Sequence, residues 1–232
     1  KVKFDANWLN IGQPFGNCVV FSFHPRKVIT TGDGGMITTN CEQTAEKIKL
    51  WRQHGMSISD LKRHNSNKVI SESYECLGYN YRMTDMQAAV GRVQLKKLNQ
   101  IISIRKEVAV SYQEELSNIE GITAPFEKKD ISSNWQSFSI YINKKNRVAK
   151  LMEHLLSEGV ASRKGIMCSH LQNTYKIEPY TWIRKSFKEN LKLPVSEDLS
   201  ENSIIIPLHH LIKKKDVKYI EEKIKQFIKK LN

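Results

Sequence analysis

The sequence has no apolar run near the roughly 20 residues that a membrane-spanning helix needs. Its start, Lys1-Val2-Lys3-Phe4-Asp5, lacks the apolar core of a secretory signal. Its four cysteines, Cys18, Cys41, Cys76 and Cys168, show neither metal-type nor redox-pair spacing, so disulfide scaffolds and cysteine-bound metals are excluded. They are expected to be reduced thiols in a cytoplasmic protein. There is no internal repeat and no low-complexity segment. There is also no initiator Met, and the chain opens in what reads as mid-domain sequence.

What is present is ordinary in bulk and unusual in places. With 232 residues, 40% hydrophobic and 26% charged, the chain can bury one large core or two modest ones. The net charge of +13, from 37 basic and 24 acidic residues, could attract polyanions. The basic residues are dispersed, however, with short runs only at Lys213-Lys214-Lys215 and Lys229-Lys230, and no nucleic-acid motif accompanies them. A nucleic-acid partner is therefore not expected. A basic surface serving an anionic small molecule accounts for the charge more simply.

One stretch dominates the chemistry: Phe21-Ser22-Phe23-His24-Pro25-Arg26-Lys27-Val28-Ile29-Thr30-Thr31-Gly32-Asp33-Gly34-Gly35. The apolar run Val19 to Phe23 predicts a short strand, buried on both faces of a mostly parallel sheet. Met36 to Thr39 predicts its neighbour. A lysine just past a strand end can be desolvated, which disfavours the ammonium form and frees a nucleophilic amine. Such an amine suits imine chemistry with a carbonyl cofactor. A solvated loop lysine is the competing reading.

A second stretch is Leu77-Gly78-Tyr79-Asn80-Tyr81-Arg82-Met83-Thr84-Asp85-Met86-Gln87-Ala88-Ala89-Val90. Thr84 or Asp85 can cap a helix. Met83, Met86, Val90 and Val93 form one apolar stripe along it. On residue type alone, Asn80 makes a turn before that helix.

Ser22-x-His24-x-x-Lys27, followed by Thr30-Thr31-Gly32-Asp33-Gly34-Gly35, resembles the cofactor-lysine segment of the DegT/DnrJ/EryC1/StrS family. The stretch around Asn80 resembles that family's second signature. These are pyridoxal-phosphate (PLP) aminotransferases of the aspartate-aminotransferase fold that aminate nucleotide-linked keto-sugars. The resemblance implies the C-terminal portion of an α/β fold of that type: part of a large, mostly parallel-sheet domain, plus a small α/β domain. It implies that Lys27 carries PLP as an internal aldimine. Ser22 would bind the cofactor phosphate, and Asn80 would reach across a homodimer interface to the phosphate held by the other protomer. A lysine at position 27 implies transamination; family members with histidine there run a dehydration instead. The implied reactants are a nucleotide-sugar and an amino-acid donor such as glutamate.

The remaining chain is read by periodicity. A helix is expected over about Thr44 to His54, stopped by Gly55. Residues 56–73 read as a loop at a substrate entrance. The helix after Asn80 is expected to run on to about Leu116, with Gly121 and Pro125 closing it. Phe138, Ile140 and Ile142 predict a half-buried strand. Val148 to Leu156 predicts a helix stopped by Gly159. Val160 to Ile166 and Ser203 to Pro207 predict strands. Val217 to Leu231 predicts an amphipathic helix with a Lys-rich outer face. The expected domains are 1–98, the C-terminal part of the cofactor-binding domain; 99–120, a connecting helix; and 121–232, a small α/β domain.

The resemblance also places His24, His170 and Tyr175 toward substrate, and the Leu208-His209-His210 segment near the site mouth. Partly buried structural histidines are the competing reading. A metal at His209/His210 is not expected, because no third ligand has suitable spacing. The match covers only the later part of a family chain. The phosphate loop, the ring-stacking aromatic and the pyridine-pairing Asp of that family have no counterpart here. The isolated chain is therefore expected to show no substantial aminotransferase activity, and an inactive remnant that keeps a dimerisation surface is the alternative.

Overall fold

The computed structural model describes residues 1–58, 63–144, 146–173 and 192–230. The chain divides into two compact units. The first is Lys1–Asn99 with Asp130–Ser132; the second is Gln100–Lys129 with the chain from Ser133 onward.

The first unit opens with a small antiparallel pair, β1 (Val2–Phe4) and β2 (Asn7–Leu9). A second antiparallel pair follows, β3 (Val19–Ser22) and β4 (Gly35–Thr38), in register Val19 with Thr38 to Ser22 with Gly35. The strand expected to be buried on both faces of a parallel sheet therefore has an antiparallel neighbour and an open face. Val20 is 71% exposed. Its alternation, exposed at Val20 and Ser22 and half-buried at Val19 and Phe21, is that of a strand covered on one side only.

Helix α1 (Glu42–Trp51) ends earlier than expected. His54 and Gly55 both take left-handed backbone angles, φ 62° and 73°, and the Gly55 N–H closes back on the Leu50 carbonyl. Only glycine fits at 55, since a Cβ there would lie 1.9 Å from the Cys76 carbonyl oxygen. That close approach lets residues 75–81 dock along the end of α1. The His54 N–H donates to the Tyr79 carbonyl, and the Tyr81 N–H to that of Arg52.

Helix α2 (Asp85–Lys96) begins with the capping box that Thr84-x-x-Gln87 encodes. The expected single long helix is two. Lys97, at φ −89° and ψ −5°, separates α2 from α3 (Leu98–Leu116). The apolar stripe of α2 is open, with Met86, Val90 and Val93 at 80%, 49% and 52% exposure. Among the described residues of the first unit, Met56 is the one buried hydrophobic side chain.

The second unit holds the core. Its sheet has the order β5 (Ile122–Thr123), β6 (Phe138–Ile142), β8 (Ser203–Ile206), β7 (Arg163–Lys164), every neighbour antiparallel. Phe138, Ile140 and Ile142 are buried on one face of β6 with Ile204 and Ile206 of β8. They meet Val108, Ala109, Tyr112 and Leu116 of α3, Leu151 and Leu155 of α4 (Val148–Ser157), and Val217, Ile220 and Ile224 of α6 (Lys214–Lys229). On the other face of β6, the Tyr141 hydroxyl donates to Asp198 on α5 (Pro194–Asn202) at 2.8 Å. Gly159, at φ 75°, ends α4 as expected. The strand expected over Val160 to Ile166 shrinks to Arg163–Lys164, which among the described residues pairs with β8 alone. Helix α5 has no apolar periodicity to announce it; Pro194 at its first turn starts it.

Candidate active site

The residues singled out in the sequence are distributed over both units. Ser22, His24, Lys27 and Asn80 lie in the first, and His170 in the second. Tyr175 lies outside the described residues.

Ser22 closes β3, and the chain then turns back through residues 23–34 to β4. Backbone groups fix this excursion. The Phe23 N–H donates to the Gly34 carbonyl, and the Thr31 N–H to that of Phe23. The Lys27 N–H donates to the His24 carbonyl at 2.9 Å, forming a tight turn that carries Lys27 outward. The Ser22 hydroxyl accepts from the His24 N–H at 3.4 Å, and His24 Nδ1 accepts from the Arg26 N–H at 3.2 Å. The imidazole is thus used locally, to hold the turn.

Two threonines do the remaining fastening. Thr30 Oγ1 donates to the Phe23 carbonyl and accepts from the Gly32 N–H, while buried Thr31 donates through Oγ1 to the Asp33 carbonyl. Gly34 is at φ 147°, and a Cβ there would sit 2.7 Å from Thr31 Oγ1 and 3.2 Å from Met83 Cε. The glycines therefore let α2 approach the turn, and Gln87 Nε2 seals the contact by donating to the Asp33 carbonyl at 3.1 Å. Gln87 was not among the expected site residues, although its place three residues after Thr84 marks it as a capping partner.

The Lys27 side chain is exposed, so this chain itself does not supply the burial expected around it. Among the described residues, no carboxylate or other acceptor pairs with its amine. Asn80 is exposed as well. Its backbone forms a bridge with Gln53 instead of a turn, and its side-chain amide makes no hydrogen bond among the described residues. An uncommitted amine, a hydroxyl and an amide are the donor types that a carbonyl-bearing phosphate ester requires. In chemical type these residues fit PLP.

His170, in a short 3₁₀ turn (Ser169–Leu171), is half-buried, and its Nε2 lies 2.9 Å from Glu197 Oε1. The same carboxylate oxygen accepts from the Leu193 N–H at 2.8 Å. These two contacts, the backbone N–H first, hold the Glu197 carboxyl below the usual carboxylate range. His209 is shifted down by burial, by His210 and by the Arg105 guanidinium, against the opposing effect of Asp216.

The DegT/DnrJ/EryC1/StrS aminotransferase family matches residues 9–225. The chain belongs to this family. An uncharacterized protein of Methanocaldococcus jannaschii, MJ1066, is 36% identical over 219 residues, which is 92% of this chain and 54% of that one. A UDP-4-amino-4,6-dideoxy-N-acetyl-beta-L-altrosamine transaminase of Campylobacter jejuni (strain NCTC 11168) is 30% identical over 91% of this chain and 52% of its own length. Among solved structures, Helicobacter pylori PseC, an aminotransferase involved in the biosynthesis of pseudoaminic acid, superposes with a TM-score of 0.75. It is 28% identical, covering 93% of this chain and 54% of PseC. The chain spans about half the length of the relatives it matches. Its fold is the α/β fold of the family's sugar aminotransferases, as the resemblance implied, and the family is PLP-dependent. Among the described residues, no helix is long and apolar enough to cross a membrane.

Proposed function

We propose that the protein containing this chain is a cytoplasmic, homodimeric aminotransferase that moves an amino group from an amino acid such as glutamate to a nucleotide-linked keto-sugar. The observation that carries this reading is the Ser22–Lys27 turn. It presents an uncommitted lysine amine two hydrogen-bonded turns from a strand-end hydroxyl, within a region that matches the family.

In this reading Lys27 holds PLP, Ser22 donates to its phosphate, and Asn80 donates to the phosphate held by the other protomer. When bound, the cofactor supplies an electron sink that makes a C–H bond beside the transferred nitrogen acidic. The chain does the rest. Freed by the incoming donor amine, Lys27 Nζ would act as general base toward the proton on the donor carbon and, once protonated, as the acid that returns it to complete the 1,3-proton shift. The Thr30, Thr31 and Gln87 hydrogen bonds fasten the 23–34 turn that carries Lys27. His24, His170 and Tyr175 are proposed to face substrate.

The test is Lys27→Ala in the intact protein, assayed for amino transfer from glutamate to a nucleotide keto-sugar. Loss of a proton carrier at this position predicts a fall of at least about 10²–10⁴-fold. Activity retained within a few-fold would contradict the assignment.

A further inference from the structure

The sequence contains one Asp-Gly pair, Asp33-Gly34, and no Asn-Gly pair. An aspartate followed by glycine is prone to intramolecular imide formation. The glycine nitrogen closes a five-membered ring on the aspartate carboxyl, and no side chain stands in its way. The step needs that nitrogen at about 3–3.5 Å from the carboxyl carbon. Whether a folded chain permits it depends on whether the turn holds the two groups apart or together.

Here the turn holds them together. The Gly34 N–H donates to Asp33 Oδ1 at 2.8 Å, so the nitrogen already lies against the carboxyl group that it would attack. Gly34 is at φ 147°, and a Cβ there would sit 2.7 Å from Thr31 Oγ1, so the position is kept free of bulk at its α-carbon. The Asp33 carbonyl accepts from Thr31 Oγ1 at 2.7 Å and from Gln87 Nε2 at 3.1 Å. Both bonds draw electron density from the Asp33–Gly34 amide and make its N–H more acidic. Asp33 and Gly34 are both exposed in this chain, so water reaches the bond.

We propose that Asp33-Gly34 is a site of spontaneous covalent modification, at which Asp33 isomerises to isoaspartate through a cyclic imide. The Gly34 nitrogen forms a bond to Asp33 Cγ. Its amide proton and one proton from solvent leave with a carboxylate oxygen as water. Water then adds to the former main-chain carbonyl carbon of Asp33, and the bond from that carbon to the Gly34 nitrogen breaks. Mass is unchanged overall, and no cofactor, oxidant or substrate takes part. The main chain now runs through Cβ and Cγ, one atom longer, and the carbonyl that Thr31 and Gln87 held becomes a free carboxylate beside it. The turn that carries Lys27 is thereby lengthened at the point where α2 is fastened to it.

The experiment ages the intact protein in mildly acidic buffer and follows isoaspartate by peptide mass spectrometry, which separates the isomer by retention and identifies it by electron-transfer fragmentation. A synthetic peptide of the sequence Ile29 to Thr38 is aged alongside. Isoaspartate is expected at Asp33 and at no comparable rate at the other aspartates, preceded by a form lighter by one water, the imide. The rate in the native protein is expected to lie within about tenfold of the peptide's, a barrier difference of no more than about 1.4 kcal/mol. Asp33→Glu, which would have to close a six-membered ring, is expected to abolish the signal. A native rate more than about tenfold below the peptide's overturns the proposal, because the fold then protects the bond. Isoaspartate spread evenly over several aspartates, or a signal in this peptide that persists in Asp33→Glu, also overturns it.

Discussion

Arg105 is a buried cation, 5% exposed, whose three hydrogen bonds all end on neutral carbonyls: Trp135, Leu208 and Gln136, at 3.2, 3.0 and 3.2 Å. It ties the start of β6 and the exit of β8 to one face of α3. Tyr112, one helical stretch further on, adds a fourth bond, to the Pro207 carbonyl at 2.8 Å. Nothing in the sequence distinguishes Arg105 from the other arginines, because its role depends on carbonyls 30 and 103 residues away. Arg105→Met should strand those carbonyls, at about 1–3 kcal/mol each, a loss of several kcal/mol in denaturant melts. Arg105→Lys should recover little of it, because an ammonium cannot match the guanidinium fork. Wild-type stability in Arg105→Met would show that these bonds carry no weight. The turn that presents Lys27, in contrast, is legible in the sequence, because it is built from residues 22–34 alone.

At the scale of elements, local chemistry was the more readable part. The α2 cap, the β6 alternation and the Gly159 stop each rest on residues within one turn or strand, and the structure contains all three. The α2–α3 interruption at Lys97 was not readable, since apolar periodicity continues unbroken across it. Nor was α5, whose start depends on Pro194. Removing the α2 cap with Thr84→Ala should cost about 1 kcal/mol, read as a shift in the denaturation midpoint. It should also loosen Gln87 from the Asp33 carbonyl. An unchanged midpoint would mean that the capping box is idle.

Helix α5 offers a pH-dependent counterpart. The Glu197 carboxyl is held below its ordinary value of 4.5 by the Leu193 N–H and His170. A depressed carboxylate stabilises the native state fully above the ordinary value, and that contribution is lost as pH falls through the lower native value. Glu197→Gln should therefore flatten the acid limb of stability below about pH 4.5 and leave the neutral region with a constant offset. An acid limb identical to wild type would exclude Glu197 from it.

For the whole molecule, the two units differ in kind. The second buries a continuous core from β6, β8, α3, α4 and α6. The first, which holds the Ser22–Lys27 turn, buries Met56 alone among its described hydrophobic side chains and leaves Val20, Met36 and the α2 stripe open. The expectation of a doubly buried strand at Val19 to Phe23 came from composition, which registers how apolar a strand is and not whether its covering layers belong to the same stretch of chain. The chain also spans about half the length of its relatives. The burial expected around Lys27 is not supplied by this chain, in which the residue is exposed.

The claim on which the functional reading rests is that Lys27 is the cofactor lysine. It is tested most directly by incubating the protein with PLP, reducing with borohydride and locating the label by peptide mass spectrometry. The account predicts a single dominant label on the peptide containing Lys27, abolished in Lys27→Ala. A label spread over the many exposed lysines, or concentrated on a different one, would contradict it.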